Sequence, residues 1–140
     1  MSTGPVRLRA GTDLPTRTYR VTRLDLVRYA GASGDFNAIH WSDRAATGVG
    51  LPGVIAHGMY TMGLAARAVT SWTGDPGGVL EYGVRFTRPV PVPDTDDGTE
   101  VVVAGTVKPA ERDGCVLLAL TVTCHGDRVL AQARAVVRAG

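Results

Sequence analysis

The sequence has little net charge and almost no lysine. Its 140 residues carry 15 basic and 13 acidic side chains, for a net charge of +2, and Lys108 is the only lysine. The charged residues are scattered along the chain and form no basic stripe or tail. Because nucleic-acid binding depends on concentrated positive charge, this composition does not favour a nucleic-acid partner.

Cysteine is also scarce. Cys115 and Cys124 are the two cysteines, and both lie in one apolar run. If that run is a strand, they are about 30 Å apart at a rise of ~3.3 Å per residue, which is too far for a disulfide between them. Neither a CxxC spacing nor a neighbouring pair of histidines accompanies them. We therefore predict two half-buried free thiols in a reducing cytoplasm.

Long apolar runs are missing as well. The longest helical apolar stretch is shorter than the roughly 20 residues that a bilayer-spanning helix needs. Met1–Arg9 lacks the apolar region of a signal peptide. These features predict a cytoplasmic protein without membrane attachment.

The length is sufficient for one domain with a hydrophobic core. A chain of 140 residues buries roughly two-thirds of its unfolded surface, so no metal or disulfide is needed to stabilise the core. The sequence contains no internal repeat and no low-complexity linker. We predict a single domain over residues 1–140.

A strand and a capped helix are predicted near the beginning. Thr18–Val21 has the pattern of a short strand, and Thr22 with Asp25 three residues later makes an acidic variant of a capping box. A helix of about two turns is expected to follow. Gly31 is placed to end it, because glycine readily takes the left-handed conformation found at helix C-termini.

Two further helices are predicted after a polar loop. Ser42 is expected to cap a short helix over residues 43–47. His57–Ser71 is predicted as a longer helix in which almost every position is apolar or small. Such a pattern indicates a helix that is buried on all sides.

The second half of the sequence is predicted to form strands. Apolar and polar residues alternate from Leu80 to Phe86, which is typical of a half-exposed antiparallel strand. After a loop rich in proline and aspartate over 89–98, three more strands are predicted: Glu100–Val107, Cys115–Cys124 and Val129–Arg138. Four strands in a meander beside one buried helix indicate an α+β fold with the antiparallel sheet curled around the helix.

The polar loop between the first two helices holds the most informative residues. Asp35 and His40 lie five positions apart, and Gly34 and Asn37 allow the loop to fold so that both side chains reach one small molecule. A carboxylate and an imidazole that share a water or hydroxyl can move a proton between carbon and oxygen, as hydration and dehydration require. The alternative is that both side chains only bind backbone amides.

A second polar feature lies at the start of the long helix. The backbone N–H of Gly58 follows the segment Val54–His57 and lies at the positive end of the helix dipole. Glycine admits a substrate carbonyl close to the backbone, and oxyanion donors of this kind contribute about 10²–10³ in rate. The alternative is that Gly58 only relieves close packing.

Two other motif classes receive little support. Gly48–Gly53 fits the GxGxxG pattern of dinucleotide sites, but a predicted helix precedes it rather than a strand. Pro52 also removes an amide that phosphates would use. No serine lies in a GxSxG setting, so a serine hydrolase is not predicted.

The segment Tyr29–Asp43, together with Ile55–Met59, resembles the MaoC-like, R-specific enoyl-CoA hydratase family. The resemblance is strong over residues 19–93 and rests only on strand pattern beyond them. Within the family the chain is most similar to the HadB type, the catalytic subunits of mycobacterial-type (3R)-hydroxyacyl-ACP dehydratases. Three segments carry this finer similarity: Ala56–Gly63, Thr70–Gly77 and Glu81–Thr87.

The resemblance implies a hot-dog fold and assigns roles to residues. Asp35 and His40 match the catalytic pair, Asn37 matches the residue that supports the loop, and Gly58 matches the backbone oxyanion position. Ala38 departs from the family motif, which usually has proline there. Because proline would stiffen the loop, its absence is expected to loosen the site rather than abolish activity. The neighbouring positions implied to bind substrate are Ile55, Ala56, His57 and Met59.

The implied function is that of a (3R)-hydroxyacyl thioester dehydratase or, in reverse, an R-specific enoyl thioester hydratase. Its substrate would be carried on CoA or acyl carrier protein, and no metal or redox cofactor is expected. The resemblance also implies an acyl tunnel between two hot-dog units. Because the edge strands of a sheet have unpaired backbone groups that a second chain can cover, we expect a homodimer or a heterodimer with a sister chain.

Two alternatives remain at this point. The first is a non-catalytic hot-dog partner that shapes an acyl tunnel for another chain, which the presence of both Asp35 and His40 disfavours. The second is a hot-dog thioesterase, since a fold does not specify a reaction.

Overall fold

The protein contains one antiparallel sheet of five strands. The computed structural model describes residues 4–140. The strand order is β1-β3-β4-β5-β2, and every neighbouring pair is antiparallel. The strands are β1 (Asp13–Val21), β2 (Val79–Phe86), β3 (Thr99–Pro109), β4 (Cys115–Cys124) and β5 (Asp127–Arg138). The helices are α1 (Arg23–Ser33), α2 (Asp43–Gly48) and α3 (Gly58–Thr73), with short 3₁₀ turns at Ala38–His40 and Pro76–Gly78.

The sheet curls around α3, and the predicted α+β hot-dog architecture is confirmed. Helix α3 contacts all five strands. Trp72, near its C-terminus, is fully buried and donates its indole N–H to the carbonyl of Pro15 at 2.8 Å. The buried side chains of the sheet and of α3 form one core cluster within residues 4–140. The first three residues of the domain predicted over 1–140 lie outside the described part of the chain.

The prediction that α3 is buried on all sides is wrong for the single chain. Met59, Gly63 and Arg67 are exposed, and they lie four residues apart along one stripe of the helix. The curled sheet covers one face of the helix, and small or flexible side chains occupy the other. Burial of α3 in one chain is therefore partial.

The predicted meander is correct for β3, β4 and β5 but wrong for β2. Strand β2 pairs with β5, so it lies at the edge of the sheet opposite β1. The segment after β2 does not form a hairpin with β3, because its backbone bonds to the segment that precedes α3. Ala56 N–H donates to Val90 O and Val92 N–H donates to Val54 O, both at 2.9 Å. The proline-rich segment thus closes over the residues that lead into α3.

The first helix begins as predicted and ends later. Thr22 N–H donates to the Asp25 carboxylate at 2.9 Å, and the Thr22 hydroxyl accepts from Asp25 N–H at 3.3 Å, which completes the capping box. Gly31 does not end the helix. The left-handed residue is Gly34, with φ +77°, and its N–H donates to Ala30 O at 2.9 Å. A glycine inside a helix weakens it by only about 0.5–1 kcal/mol, so the helix ends where the backbone turns left-handed.

The remaining predicted helices and strands are confirmed within two residues, except that β1 begins at Asp13 rather than at the predicted Thr18. Ser42 accepts a hydrogen bond from Ala45 N–H at 3.2 Å and caps α2. The turn between β4 and β5 has positive φ at His125 and Gly126, as the type I′ hairpin turn requires. Cys115 and Cys124 are free thiols, but only Cys115 is half-buried as predicted. Cys124 is buried, because its side chain belongs to the core cluster. Among residues 4–140, no helix combines the length and the apolarity needed to span a bilayer.

Candidate active site

Asp35 directly follows the residue that ends α1. Its backbone N–H donates to the Ser33 hydroxyl at 3.1 Å, and its carboxylate Oδ1 accepts from Asn37 N–H at 3.1 Å. The first bond closes a serine turn and the second an Asx turn, and the Asp35 side chain stays exposed to solvent. Because Gly34 turns the chain away from the helix axis, the Asp35 backbone faces the start of α3.

Asn37 links Asp35 to the 3₁₀ turn that carries His40. Its side-chain oxygen accepts from Ile39 N–H at 3.3 Å, and its carbonyl accepts from His40 N–H at 3.0 Å. Ala38 is the first residue of this turn, which therefore forms without the proline of the family motif. The short turn buries His40, which is only 8% exposed.

The ring of His40 is held by the chain segment that precedes α3. Its Nδ1 lies 2.7 Å from the carbonyl oxygen of Ile55. Since a carbonyl oxygen only accepts hydrogen bonds, Nδ1 carries the proton and donates it. The other ring nitrogen, Nε2, is the atom that remains for exchanging a proton with a ligand or a water.

Asp43 and Arg23 hold this segment in place, and the sequence analysis missed both. The Asp43 carboxylate accepts from Val54 N–H at 2.9 Å and pairs with the Arg23 guanidinium at 2.9 Å. The Val54 hydrogen bond, and next to it the contact with Arg23, lower the pKa of Asp43. Arg23 also donates its Nε–H to the carbonyl of Val92. In sequence, Asp43 looks like an ordinary acidic residue in the first turn of α2, and no local pattern reveals its distant partners.

Gly58 is the first residue of α3, so its N–H has no acceptor within the helix. It lines the same pocket as His40. A Cβ on Gly58 would lie 3.0 Å from Cε1 of Phe86, another residue of the pocket wall. Both interpretations of Gly58 thus have a structural counterpart: an amide at the helix start without an acceptor among residues 4–140, and a close packing contact.

The pocket beside His40 and Gly58 has a volume of about 350 Å³. Of the predicted substrate-binding residues, Ile55 and Ala56 lie in its wall, whereas His57 lies behind His40 and Met59 is 60% exposed outside the wall. Most of the wall is apolar. The residues that line the pocket are His40, Leu51, Ile55, Ala56, Gly58, Thr61, Phe86, Thr87, Arg88, Pro89, Val90, Val129 and Leu130.

Thr61 is a polar pocket residue that the sequence analysis missed. It lies one helical turn after Gly58 and is 3% exposed, and it belongs to the pocket wall. Within residues 4–140 its hydroxyl has no hydrogen-bond partner. Its spacing of three from Gly58 on one helix was the available signal, because residues three apart share a helix face.

His57 joins the loop of Asp35 to the start of α3. It is 1% exposed, and its Nε2 lies 3.1 Å from the backbone carbonyl oxygen of Asp35. Its ring stacks on that of His40, with centroids 3.8 Å apart and planes at 22°. Burial lowers the pKa of His57. The ring is therefore neutral near pH 7.

Asp35, His40 and His57 each offer one potential ligand atom, and these atoms all lie within 4.8 Å of one another. Two histidines and a carboxylate are a donor set that transition metals accept. Backbone carbonyls hold His40 Nδ1 and His57 Nε2, which leaves His40 Nε2 and His57 Nδ1 as the nitrogens that could face a ligand. The same three groups next to an apolar pocket also satisfy the requirements of proton transfer to and from a bound organic substrate.

Comparison with known proteins shows one consistent relationship. The MaoC like domain matches residues 8–123. The chain is 38% identical to the 3-hydroxyacyl-thioester dehydratase X of Mycobacterium tuberculosis over 81 residues, which are 58% of this chain and 28% of that protein. It is 31% identical to the 3-hydroxybutyryl-CoA dehydratase of Methylorubrum extorquens over 120 residues, which are 84% of this chain and 73% of that protein.

Solved structures show the same relationship. A MaoC-like dehydratase superimposes with a TM-score of 0.90 at 37% identity, covering 99% of this chain and 43% of the other. The R-hydratase PhaJ1 of Pseudomonas aeruginosa gives 0.78 at 28% identity, covering 94% and 81%. The ChsH1-ChsH2 complex of Mycobacterium tuberculosis gives 0.77 at 23% identity, covering 93% and 97%, and supports the fold alone. The present chain thus spans less than half of the first solved structure and about a quarter of the first relative.

Proposed function

Since the chain belongs to the MaoC-like domain family, we propose that it is a (3R)-hydroxyacyl thioester dehydratase that also catalyses the reverse, R-specific hydration of enoyl thioesters. The observation that carries the proposal is the surroundings of His40. Its Nδ1 is held by the Ile55 carbonyl, its Nε2 has no hydrogen-bond partner among residues 4–140, and the Asp35 carboxylate lies within the same small cluster. This cluster adjoins an apolar pocket and the free amide of Gly58.

The chemistry needs only proton transfer and charge stabilisation. In dehydration, the C2–H bond of the thioester breaks and its electron pair forms the C2–C3 double bond as the C3–O bond breaks. The proton from C2 passes to the His40 and Asp35 pair, and the pair supplies a proton to the departing hydroxyl, which leaves as water. The Gly58 N–H would donate to the thioester carbonyl oxygen, where negative charge develops. The pair ends in its starting protonation state.

The proposal includes no redox cofactor, because adding or removing water transfers no electrons to or from the protein. It includes no metal, because His40, Asp35 and the Gly58 N–H would supply the proton transfer and the charge stabilisation that the reaction needs. The substrate would be an acyl thioester on CoA or acyl carrier protein. Two of the relatives are named for hydroxyacyl-thioester and hydroxybutyryl-CoA dehydration, which supports this substrate class. The free thiols Cys115 and Cys124 agree with a reducing cytoplasm.

We also propose that the chain pairs with a second hot-dog unit. Strands β1 and β2 are the two edges of the sheet. Phe36 and Trp41 are exposed beside the site, and the Trp41 indole N–H donates to the Phe36 carbonyl at 2.9 Å. Large exposed apolar side chains in a group are typical of an interface. The partner would be a second copy or, as the HadB resemblance favours, a sister chain without the Asp35 and His40 pair.

Hydration of crotonyl-CoA, followed by the loss of enoyl absorbance, tests the reaction. The product is expected to be (3R)-hydroxybutyryl-CoA, determined by chiral analysis. Release of free CoA thiol without hydration would indicate the thioesterase alternative instead. No turnover with the chain alone, but turnover after addition of a sister subunit that itself carries an Asp and His pair, would indicate the non-catalytic alternative.

Two substitutions test the proposed residues. Asp35→Asn and His40→Ala should each lower kcat at least ~10²-fold, because each removes a proton-transfer group. Asp94→Asn in an exposed loop and His125→Asn in the β4–β5 turn are matched controls. Circular dichroism should show all four variants folded. Near-normal turnover of a folded Asp35→Asn or His40→Ala protein would contradict the assignment.

A further inference from the structure

His57 is a buried histidine that has no role in the proposed reaction. It is 1% exposed at the N-terminus of α3, and its side chain does not cap the helix. It lies against three other parts of the chain. Tyr29 of α1 makes an edge contact with centroids 4.7 Å apart, His40 stacks at 3.8 Å, and the Asp35 carbonyl lies 3.1 Å from Nε2. His57 therefore contacts both residues of the proposed proton-transfer pair.

The hydrogen bonds define which nitrogen of His57 carries the proton. The Asp35 carbonyl oxygen can only accept, so Nε2 is protonated and donates. In the neutral ring, Nδ1 then carries a bare lone pair. This Nδ1 is buried and has no hydrogen-bond partner within residues 4–140. A buried polar atom without a partner destabilises the folded chain, so its presence requires an explanation.

Packing alone does not explain a histidine here. Phenylalanine fills a similar space, stacks on His40 in the same way, and leaves no unpaired nitrogen. What histidine adds is the Nε2–H that binds the Asp35 backbone. The unpaired Nδ1 is the cost of keeping that donor in a ring that also stacks on His40.

We infer that His57 is a positioning residue that holds the Asp35 backbone and the His40 ring in one arrangement. This inference rests on the proposed dehydratase function. Its physical basis is that displacing a reacting group by about 1 Å costs on the order of 10²-fold in rate. The groups that face His57 are Asp35, His40 and Tyr29, and a neutral His57 adds no positive charge beside the His40 ring that must accept a proton.

Two substitutions separate the hydrogen bond from the packing. His57→Phe keeps an aromatic ring but removes the N–H. His57→Gln removes the ring but keeps an N–H donor near the position of Nε2. We expect His57→Phe to lower kcat for crotonyl-CoA hydration by ~10²-fold, with KM changed by less than about threefold, because only the reacting geometry is disturbed. His57→Gln should recover about tenfold of this loss. His125→Asn is the matched control.

The inference also has a readout that needs neither a variant nor turnover. Nitrogen-15 NMR of the imidazole rings should show His57 neutral at pH 7 with its proton on Nε2, and His40 with a proton on Nδ1. A proton on His57 Nδ1 would overturn the inference. So would a folded His57→Phe protein with wild-type kcat, and in that case the proposed function would stand. A wild-type chain that is inactive both alone and with a co-expressed sister subunit lacking the Asp and His pair would instead refute the proposed function, which separates the two failures.

Discussion

Asp35 and His40 belong to the same small cluster but differ in solvent exposure, since Asp35 is exposed and His40 is buried. The 3₁₀ turn and the Asx turn between them convert a separation of five residues into proximity. A carboxylate in contact with solvent beside an imidazole at the pocket wall can exchange protons with water and with substrate. The proposed chemistry uses this difference in exposure, because protons must pass between the substrate and water.

Gly58→Val should lower kcat/KM at least ~10²-fold while the melting temperature changes little. The added side chain would meet the ring of Phe86, whose Cε1 lies 3.0 Å from a Cβ at this position, and would crowd the pocket beside the free amide. Phe86 is more than half exposed, so its ring can move and limit the loss of stability. Binding of butyryl-CoA should weaken as well.

Gly48→Val is the matched control for this substitution. A Cβ at Gly48 has no neighbour within 4 Å, and this exposed residue of α2 lies outside the pocket wall and outside the proposed interface. This variant should keep its activity. If Gly58→Val were fully active, the oxyanion role of Gly58 would have to be abandoned.

Ala38→Pro should stabilise the loop without lowering the rate. Ala38 is the first residue of the 3₁₀ turn, and its N–H donates no hydrogen bond within residues 4–140. Asn37 before it has φ −54° and ψ 126°, which is compatible with a following proline. The gain in the free energy of unfolding should be about 0.4–1 kcal/mol, measured by urea denaturation. A destabilised variant would mean that the turn is strained by a fixed φ.

The end of α1 decides where Asp35 lies. The helix passes through Gly31 in ordinary helical conformation and ends at Gly34, the residue before Asp35. If the helix had ended at Gly31, the Asp35 carbonyl would lie elsewhere relative to His57. The choice between the two glycines is therefore important to the site as well as to the helix.

Two glycine-to-alanine variants test this boundary. Gly34→Ala should lower the free energy of unfolding by roughly 1 kcal/mol, because alanine is unfavourable at φ +77°. Gly31→Ala should raise it by about 0.4–1 kcal/mol, since a Cβ there has no neighbour within 4 Å and alanine favours the helix. Chemical denaturation measures both. Equal effects of the two changes would contradict the observed helix end.

The Asp43 carboxylate connects three elements that are separate in sequence. It links the start of α2 to Val54 before α3 and to Arg23 at the start of α1. Because the pKa of Asp43 is lowered in the folded chain, its contribution to stability is complete above the unfolded pKa and is lost as the pH falls through the lowered value. Acid should therefore loosen the segment that holds the Ile55 carbonyl against His40.

Among residues 4–140 the folded chain leaves several large apolar side chains exposed: Leu24 and Val27 on α1, Phe36 and Trp41 beside the site, Met59 on α3, and Val49 and Phe86. In the described part of the chain, both edge strands also lack a partner on one side. A lone chain in water would expose this surface and these backbone groups to non-specific association. A second hot-dog unit is the proposed cover.

Multi-angle light scattering should find a dimer at micromolar concentration. The wild-type chain alone tests the homodimer, and co-expression with a sister chain tests the heterodimer. Trp41→Glu should shift the equilibrium toward monomer if the surface around Phe36 and Trp41 is part of the interface. An active monomer at micromolar concentration would refute both the dimer and the shared tunnel.

Local features were predictable because their causes lie within a few neighbouring residues. The capping box needs only Thr22 and Asp25, and the β4–β5 hairpin needs only a short turn containing Gly126. The proximity of Asp35 and His40 was predictable for the same reason, since both lie in one segment of six residues. The error at Gly31 shows the limit, because two glycines three residues apart give the same local signal.

The contacts that assemble the site join residues far apart in the chain, and no local pattern encodes them. Asp43 binds Val54 across 11 positions, His57 binds the Asp35 carbonyl across 22, and β2 lies beside β5 rather than β3. Each depends on which surfaces the packed sheet and helices bring together. Residue type and spacing therefore predict the proton-transfer pair, whereas packing determines the ring orientations and the carbonyl partners, because these form only once distant segments meet.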